Sequence, residues 1–578
     1  MKTEKALPEL LAPAGSREAA IAAVKAGADA IYLGGTMLNA RMNARNFSDD
    51  QLWETVSYCH ENGVSVYVTL NTAVYDRELD EALRYVGFLY VSGVDALIVA
   101  DLGLASLIRE YYPGFELHAS TQASGHSVAC AVALSGLGFS RMVCAREMSK
   151  TEIDSLCAES PIEIEQFVHG ALCVSQSGQC LASAMIGGRS GNRGACAQPC
   201  RMQYNGGYPL SLKDAALARY IPEIIDSGVA SLKIEGRMKS PAYVGGVVRI
   251  YRRLLDERRA ATDAEMRELA ALFSRGGFTD GYYTEKIDDG MNGIRSEQDK
   301  ADTARVQNAP PVNQSPGIYR AKAPIIHTRE RAVNPDAAYK AARGSVPKKP
   351  QKPILTARFS RPDQIPRSNG FSIVYLPLDS FRIGSGANGV VLPPTIFSRD
   401  LERAESFLAM ASAAGAEHAL VCNIGHVALA EKYGFTVHGD YRLNVFNTEA
   451  AKLYGSMGMR DIILAPELTL PQMRDITAPK AAIVYGRIPL MLLTKPVGAK
   501  ALRDRTGASF PVIREFGYDE MLNCVPVWMA DRARELDSYG IRGRHFFFTT
   551  ESRRECESVI RAYESGLAPD RAVRRIQK

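Results

Sequence analysis

No stretch of this sequence approaches the ~18–20 predominantly apolar residues needed to cross a bilayer, so no membrane partner is expected. The opening MKTEKALPELLAPAGS has neither a long apolar core nor a small-residue cleavage site, so it does not read as a secretory leader. A formal net charge of +5 over 578 residues commits the chain to neither sign. Such a balance permits a basic face for an anionic partner without requiring one. The strings H-E-x-x-H, G-x-S-x-G and the Walker loop are all missing. GSGANG (384–389) fits G-x-G-x-x-G, but it precedes the apolar run VVLPP instead of following a strand, and it reads as a turn. What is left is an ordinary soluble composition, 46% hydrophobic and 23% charged, long enough for two to four domains. The expected location is cytoplasmic, where thiols stay reduced.

The first 240 residues alternate short apolar runs with helical stretches. The runs are LLAPAG (10–15), AIYLGG (30–35), VSVYVTLN (64–71), ALIVAD (96–101), ELHAST (116–121), RMVCAR (141–146), IEIEQFVHG (162–170) and LKIEGR (232–237). Eight β-α units, each strand apolar on both faces, predict a TIM-like (β/α)8 barrel over 1–294. Chemistry in such barrels sits at the C-terminal strand ends. Those ends carry Asn71, Asp101, His118, Ser120, Gln122, Glu147, Glu165, His169, Lys233, Glu235 and Arg237. For any single one of them, a capping role competes with a functional role.

Residues 295–352 are polar and proline-rich and read as an extended connection. The region 353–578 then repeats the first part. With a shift of 322, residues 76–103 align with 398–425 without a gap, matching Gly93 to Gly415 and Gly103 to Gly425. A shift of 320 then matches His118 to His438, Gly138 to Gly458 and Glu147 to Glu467. A long gapless match of this kind predicts a second, degenerate barrel-like α/β domain. In that copy Asn71 becomes Pro393, Gln122 becomes Arg442, His169 becomes Tyr485, Cys173 becomes Pro489 and Cys180 becomes Pro496. The architecture persists without the cysteines, so they are not needed to build a barrel.

Four of the 11 cysteines, Cys173, Cys180, Cys196 and Cys200, fall within 28 residues as C-x6-C-x15-C-x3-C. The spacing is looser than the knuckles zinc prefers, and the compartment disfavours disulfides. Irregular, glycine-rich spacing suits an iron–sulfur cluster. Cluster, zinc and unbound thiols all remain open on spacing alone. The other seven cysteines lie in helix and strand patterns and read as core. His169, four residues before Cys173, is either a strand cap or a site residue. Arg189, Arg193 and Arg201, with Lys213, Lys233, Arg237 and Lys239 beyond, form a basic rim suited to phosphate or a solvated face.

The segments ELLAPAGSREAAIAAVKAGADAIYLGG, NARNFS, ELHASTQ, EQFVHGALCVSQSGQC, NRGAC–QPCR and SLKIEGRMKSPAYV resemble the collagenase-like peptidase family of unassigned catalytic mechanism. The resemblance runs from about residue 9 to 290. It implies two activities. The family name implies a protease, for which Cys173 with His169 is the local nucleophile–base candidate. Other members resemble oxygen-independent hydroxylases of tRNA, of rRNA and of a ubiquinone precursor. In those a 4Fe–4S cluster is implied, and in the RNA-directed ones prephenate as a required metabolite. The cysteine spacing is similar to theirs, which implies Cys173, Cys180, Cys196 and Cys200 as cluster ligands. The best match is an RNA base hydroxylase acting on a pyrimidine. The alternatives are a collagenase-like peptidase and a non-catalytic RNA-binding protein with a structural cluster. On the hydroxylase reading, His169 and Glu165 are the expected proton-transfer groups and Glu235 and Lys233 orient the substrate. Asn71, His118 and Gln122 would meet a base edge or metabolite. Arg189, Arg193 and Arg237 would hold phosphates or carboxylates.

Overall fold

The computed structural model describes residues 5–41, 46–308, 323–325, 339 and 352–577. Most of the segment read as a connection therefore lies outside the described residues, as do the first three residues of NARNFS. Within that segment, Glu297–Asn308 is helical and packs on the helix Asp263–Leu272 of the first barrel.

The first half contains β1 (Glu9–Pro13), β2 (Ala30–Leu33), β3 (Ser65–Leu70), β4 (Ala96–Val99), β5 (Glu116–Ala119), β6 (Arg141–Val143) and β7 (Glu163–Gly170). After them come β8 (Asp214–Ala216), β9 (Ser231–Ile234) and β10 (Phe278–Thr279). Strands β1 to β7 and β9 are parallel neighbours, and β7–β9 and β9–β1 pairing closes the ring. All eight apolar runs are thus barrel strands. β8 lies outside the ring, antiparallel to the end of β7.

The barrel interior is unusually polar. TIM-barrel interiors are dominated by branched apolar side chains. Here the small apolar set Leu11, Ala30, Tyr32, Tyr67, Ala96 and Ile98 sits among charges. Arg141 pairs with Glu9 at 2.8 Å and with Glu163 at 2.7 Å, and stands 3.5 Å from Glu165. Lys233 donates to Glu165 at 2.7 Å, with both side chains buried.

The second half repeats this closure. Strands β11 (Ile354–Phe359), β12 (Ile373–Pro377), β13 (Gly389–Val391), β14 (His418–Val421), β15 (Thr436–Gly439), β16 (Ile462–Ile463) and β17 (Lys480–Gly486) run in parallel order. A four-stranded antiparallel sheet follows, made of β18 (Pro489–Leu493), β19 (Ala501–Arg503), β20 (Ser509–Glu515) and β21 (Tyr518–Leu522). After β22 (Val527–Trp528), β23 (Gly543–Phe548) closes the ring between β17 and β11. The correspondence extends to irregularities. β7 shifts register against its closing strand between Phe167 and His169, and β17 does so between Ile483 and Tyr485. Both strands end on a glycine in the left-handed region, Gly170 (φ 106°) and Gly486 (φ 130°). A short antiparallel strand then flanks each. The chain is an α/β protein of two closed eight-stranded barrels, the second lacking the cysteines of the first.

The barrels meet around a pseudo-twofold. The loop after β4 puts Asp101 against Asn447, which donates to its carboxylate at 2.9 and 3.0 Å. The equivalent loop after β14 puts Asn423 on Ser124 O (3.0 Å) and Cys130 Sγ (2.9 Å). The matched glycines lie at this junction. A Cβ on Gly103 would collide with Asn447 Oδ1 and the Ala450 backbone. One on Gly425 would stand 2.6 Å from Cys130 N. The backbone cannot yield there as a long side chain could, so Gly103→Ala is expected to cost ~1–3 kcal/mol of stability. Urea unfolding checks this, and an unchanged midpoint would show that the junction gives way.

Candidate active site at the mouth of the first barrel

Glu235, one residue past β9, is the centre of a cationic mouth. Arg41 and Arg146 each approach its Oε2 at 3.3 Å. Arg237 donates to Thr69 Oγ1 at 2.7 Å, at the C-terminal end of β3. Burial alone would push Glu235 up; the Arg41, Arg146, Arg237 and Lys233 charges outweigh it and hold the carboxyl at about 2. Burial first, and then the neighbouring Arg41, pull Arg237 down to about 10. Aromatic faces support the cations. Arg146 lies 4.2 Å from the centre of Phe167, and Lys233 lies 4.5 Å from that of Tyr32. With Lys233 neutralised by Glu165, three guanidinium groups face one carboxylate. The mouth therefore suits an anion, which planar guanidinium forks hold well.

The cysteine loop leaves β7 beside this mouth. Cys173 and Cys196 are exposed, and Cys180 and Cys200 are half-buried. Burial raises the Cys180 thiol far above its usual value, and Cys200, Cys196 and Cys173 each add to the rise. Burial likewise pushes Cys200 to about 11, with Cys173 and Cys196 contributing. The four thiols thus share one electrostatic neighbourhood, which also includes Arg41. They are gathered without being closed on a common centre: among the described residues, no three His, Cys, Asp or Glu side chains stand in ready ligating geometry. Four soft sulfur donors on a glycine-rich loop are a donor set that suits an iron–sulfur cluster.

The second half holds this loop in place. Gln176 N donates to Leu492 O at 2.7 Å, and Leu181 N to Leu490 O at 2.8 Å. Asn205 N donates to Arg503 O at 2.9 Å. The cysteine loop therefore lies along both β18 and β19, on the sheet that occupies the same place after β17 that the loop occupies after β7.

The structure moves several sequence-derived residues away from the mouth. Glu165 is third in β7, not at its end; it is fully buried, and Lys233 and Arg141 hold its carboxyl down against the effect of burial. His118 is buried in mid-barrel, sharing a 3.1 Å hydrogen bond with Glu116 and edge-on to Tyr67. At the β7 register shift, His169 is enclosed by Tyr243, Tyr251 and Phe278. Burial lowers it to about 3, so it is neutral at physiological pH. Arg193 is locked on Glu78 by two 2.7 Å bonds and stacks on Tyr75. Arg189 is exposed, its Nε donating to Ala195 O at 3.1 Å. Asn71 and Gln122 line a small cavity between the barrels, together with Asn423, Arg442 and Asn444. Sequence reading singled out neither Arg41 nor Arg146. Arg146 closes the RMVCAR run, the same polar-after-apolar signal that marked Glu147. Arg41 has no such signal, because it reaches Glu235 across 194 residues.

The sequence profile of peptidase family U32 matches residues 15–292 and 389–491, and the chain belongs to that family. Both barrels contribute to the match. The chain is 44% identical over 261 residues to the 23S rRNA 5-hydroxycytidine C2501 synthase of Escherichia coli, covering 43% of this chain and 39% of that protein. It is 38% identical over 266 residues to tRNA hydroxylation protein P1 of Bacillus subtilis, covering 43% and 63%. It is 35% identical over 306 residues to a protein named collagenase from Porphyromonas gingivalis, covering 48% and 73%. The chain thus spans less than two thirds of the first two. No helix among the described residues is long and apolar enough to cross a membrane.

Proposed function

We propose that this protein is an iron–sulfur-dependent hydroxylase of a pyrimidine in RNA, working at the mouth of the first barrel. The observation that carries the reading is the placement of Cys173, Cys180, Cys196 and Cys200 on one loop beside a guanidinium-lined mouth. Relatives named as rRNA and tRNA hydroxylation proteins match the chain over a comparable length. Cys173, Cys180, Cys196 and Cys200 would hold a 4Fe–4S cluster. Such a cluster supplies one-electron or Lewis-acid chemistry that side chains lack. Arg41, Arg146 and Arg237 would hold the carboxylates of prephenate or a substrate phosphate. Glu235 spaces those guanidinium groups and stays ionised at any physiological pH. Asn71 and Gln122, on the cavity between the barrels, offer uncharged donors and acceptors that could meet a base edge only if the RNA reaches past the mouth into that cavity.

The collagenase-like peptidase reading needs an imidazole beside the Cys173 thiol. His169 does not meet that need here: its ring is buried among aromatics, and its Nδ1 lies 3.4 Å from the Tyr251 hydroxyl. The test is a gene deletion followed by mass spectrometry of nucleosides from total tRNA and rRNA. The expected result is a nucleoside lighter by one oxygen in the deletion strain. Unchanged nucleosides, with gelatin cleaved in a Cys173-dependent way, would establish the peptidase. Unchanged nucleosides with tight RNA binding would establish a binding protein with a structural cluster.

A further inference from the structure

Beyond Arg237 the chain enters a second cationic feature that the mouth does not use. A cleft opens between the loop 238–240, just before the helix Pro241–Asp256, and the helix Glu297–Asn308, lined by Met238, Lys239, Ser240, Phe273, Arg295 and Lys300. Lys239 and Arg295 both sit over the ring of Phe273, the guanidinium 4.4 Å from its centre. The nearby carboxylates already have partners, one of them within the cleft. Asp214 pairs with Arg275 at 2.8 Å and Glu297 with Lys300 at 2.5 Å. Asp299 accepts from Ser296 N at 2.7 Å and Ser274 Oγ at 3.1 Å. Among the described residues, Lys239 and Arg295 form no ion pair. Burial, and then the crowding of Arg275 and Arg295, pull Lys239 down to about 7, with Asp214 opposing. Asp214 and Glu235 offset only part of the crowding at Lys239, and an anion between the two groups stacked on Phe273 would relieve the rest.

The position adds to this. Ser240, which lines the cleft, caps the helix Pro241–Asp256 by accepting from Tyr243 N, while Pro241 at the first helical position brings no N–H. That end carries the positive pole of a 16-residue helix. TIM barrels often place a phosphate at the loops after their last strands, against a helix N-terminus.

We propose that this cleft binds a phosphate group, and that in the working protein the phosphate belongs to the RNA backbone, next to the nucleotide at the mouth. The RNA part rests on the proposed function; the phosphate chemistry does not. The test uses the full-length protein with Lys239→Gln, Arg295→Gln and the double variant, thermal melting verifying that each is folded. Two labelled single-stranded RNAs of unrelated sequence are titrated by anisotropy across a salt series, and inorganic phosphate by calorimetry. The double variant is expected to bind both RNAs more weakly by the same factor. The slope of log K against log salt should fall by about 1–2, one phosphate contact per lost charge. Lys239→Arg should keep most of the slope. If phosphate heat is lost but the RNA slope is unchanged, the site takes free phosphate and the RNA assignment is overturned. If neither changes in the folded double variant, the proposal is overturned. A deletion strain with unaltered nucleosides would remove the hydroxylase reading and leave this binding result standing.

Discussion

Protein with serine at Cys180, prepared without oxygen, is expected to lose its iron, whereas the unaltered chain carries about four iron atoms and four sulfides, as a cubane requires. Cys180 is the most telling of the four positions because it is more buried than Cys173 or Cys196 and feels the other three thiols. Serine keeps the volume and removes the soft donor, so loss of iron would report ligation. Cys157→Ser, at a half-buried thiol on the helix Lys150–Glu159, should leave the iron content as it was. Iron and acid-labile sulfide analysis, with the visible spectrum, decides. Stoichiometric zinc without iron in the unaltered protein would sink the cluster.

Arg442→Leu is expected to destabilise the chain by ~3–5 kcal/mol, because it strands a buried carboxylate. Arg442, at the mouth of the second barrel, donates to Glu520 on β21 at 2.6 Å, with both side chains almost wholly buried. A second buried pair, Arg358 with Glu515 on β20, joins the same barrel to the same sheet. Leucine at both Arg442 and Glu520 should recover much of the loss, since neither charge is then unpaired. The effect should reach the thiols. Glu520 lies opposite Leu492 of β18, whose other edge carries residues 175–181. Urea midpoints measure the first effect, and amide exchange at 176 and 181 the second. Equal stability of single and double variants would mean that the pair is not desolvated.

The eight strands of the first barrel were legible because parallel strands buried on both faces leave continuous apolar runs. The duplication was legible because glycines at a tight junction cannot drift as surface residues do: Gly103 and Gly425 match in sequence because each lies against backbone of the other barrel. What was not legible depended on local geometry or long range. β8 and β22, of three and two residues, are too short to show a period. The sheet β18–β21 was hidden because its first strand aligned with the cysteine loop and read as a degraded copy of it. His169 was placed at the site by spacing, and a single register shift in β7 encloses it among aromatics instead. Glu165 looked like a strand-end acid, although Lys233 and Arg141, distant in sequence, bury it as an ion-paired group.

The pairing of the cysteine loop with the sheet that takes its place in the other barrel bears on how such a molecule could arise. Two identical barrels meeting about a true twofold would bring identical loops together, and any change in one would appear in the other. A loop that carries thiols and a loop that forms a template for them make incompatible demands on one sequence. Covalent fusion of the copies removes that conflict. One loop could then fill with glycine and cysteine and give up regular structure. The other could become a β-sheet whose edges supply the hydrogen bonds that the first had given up.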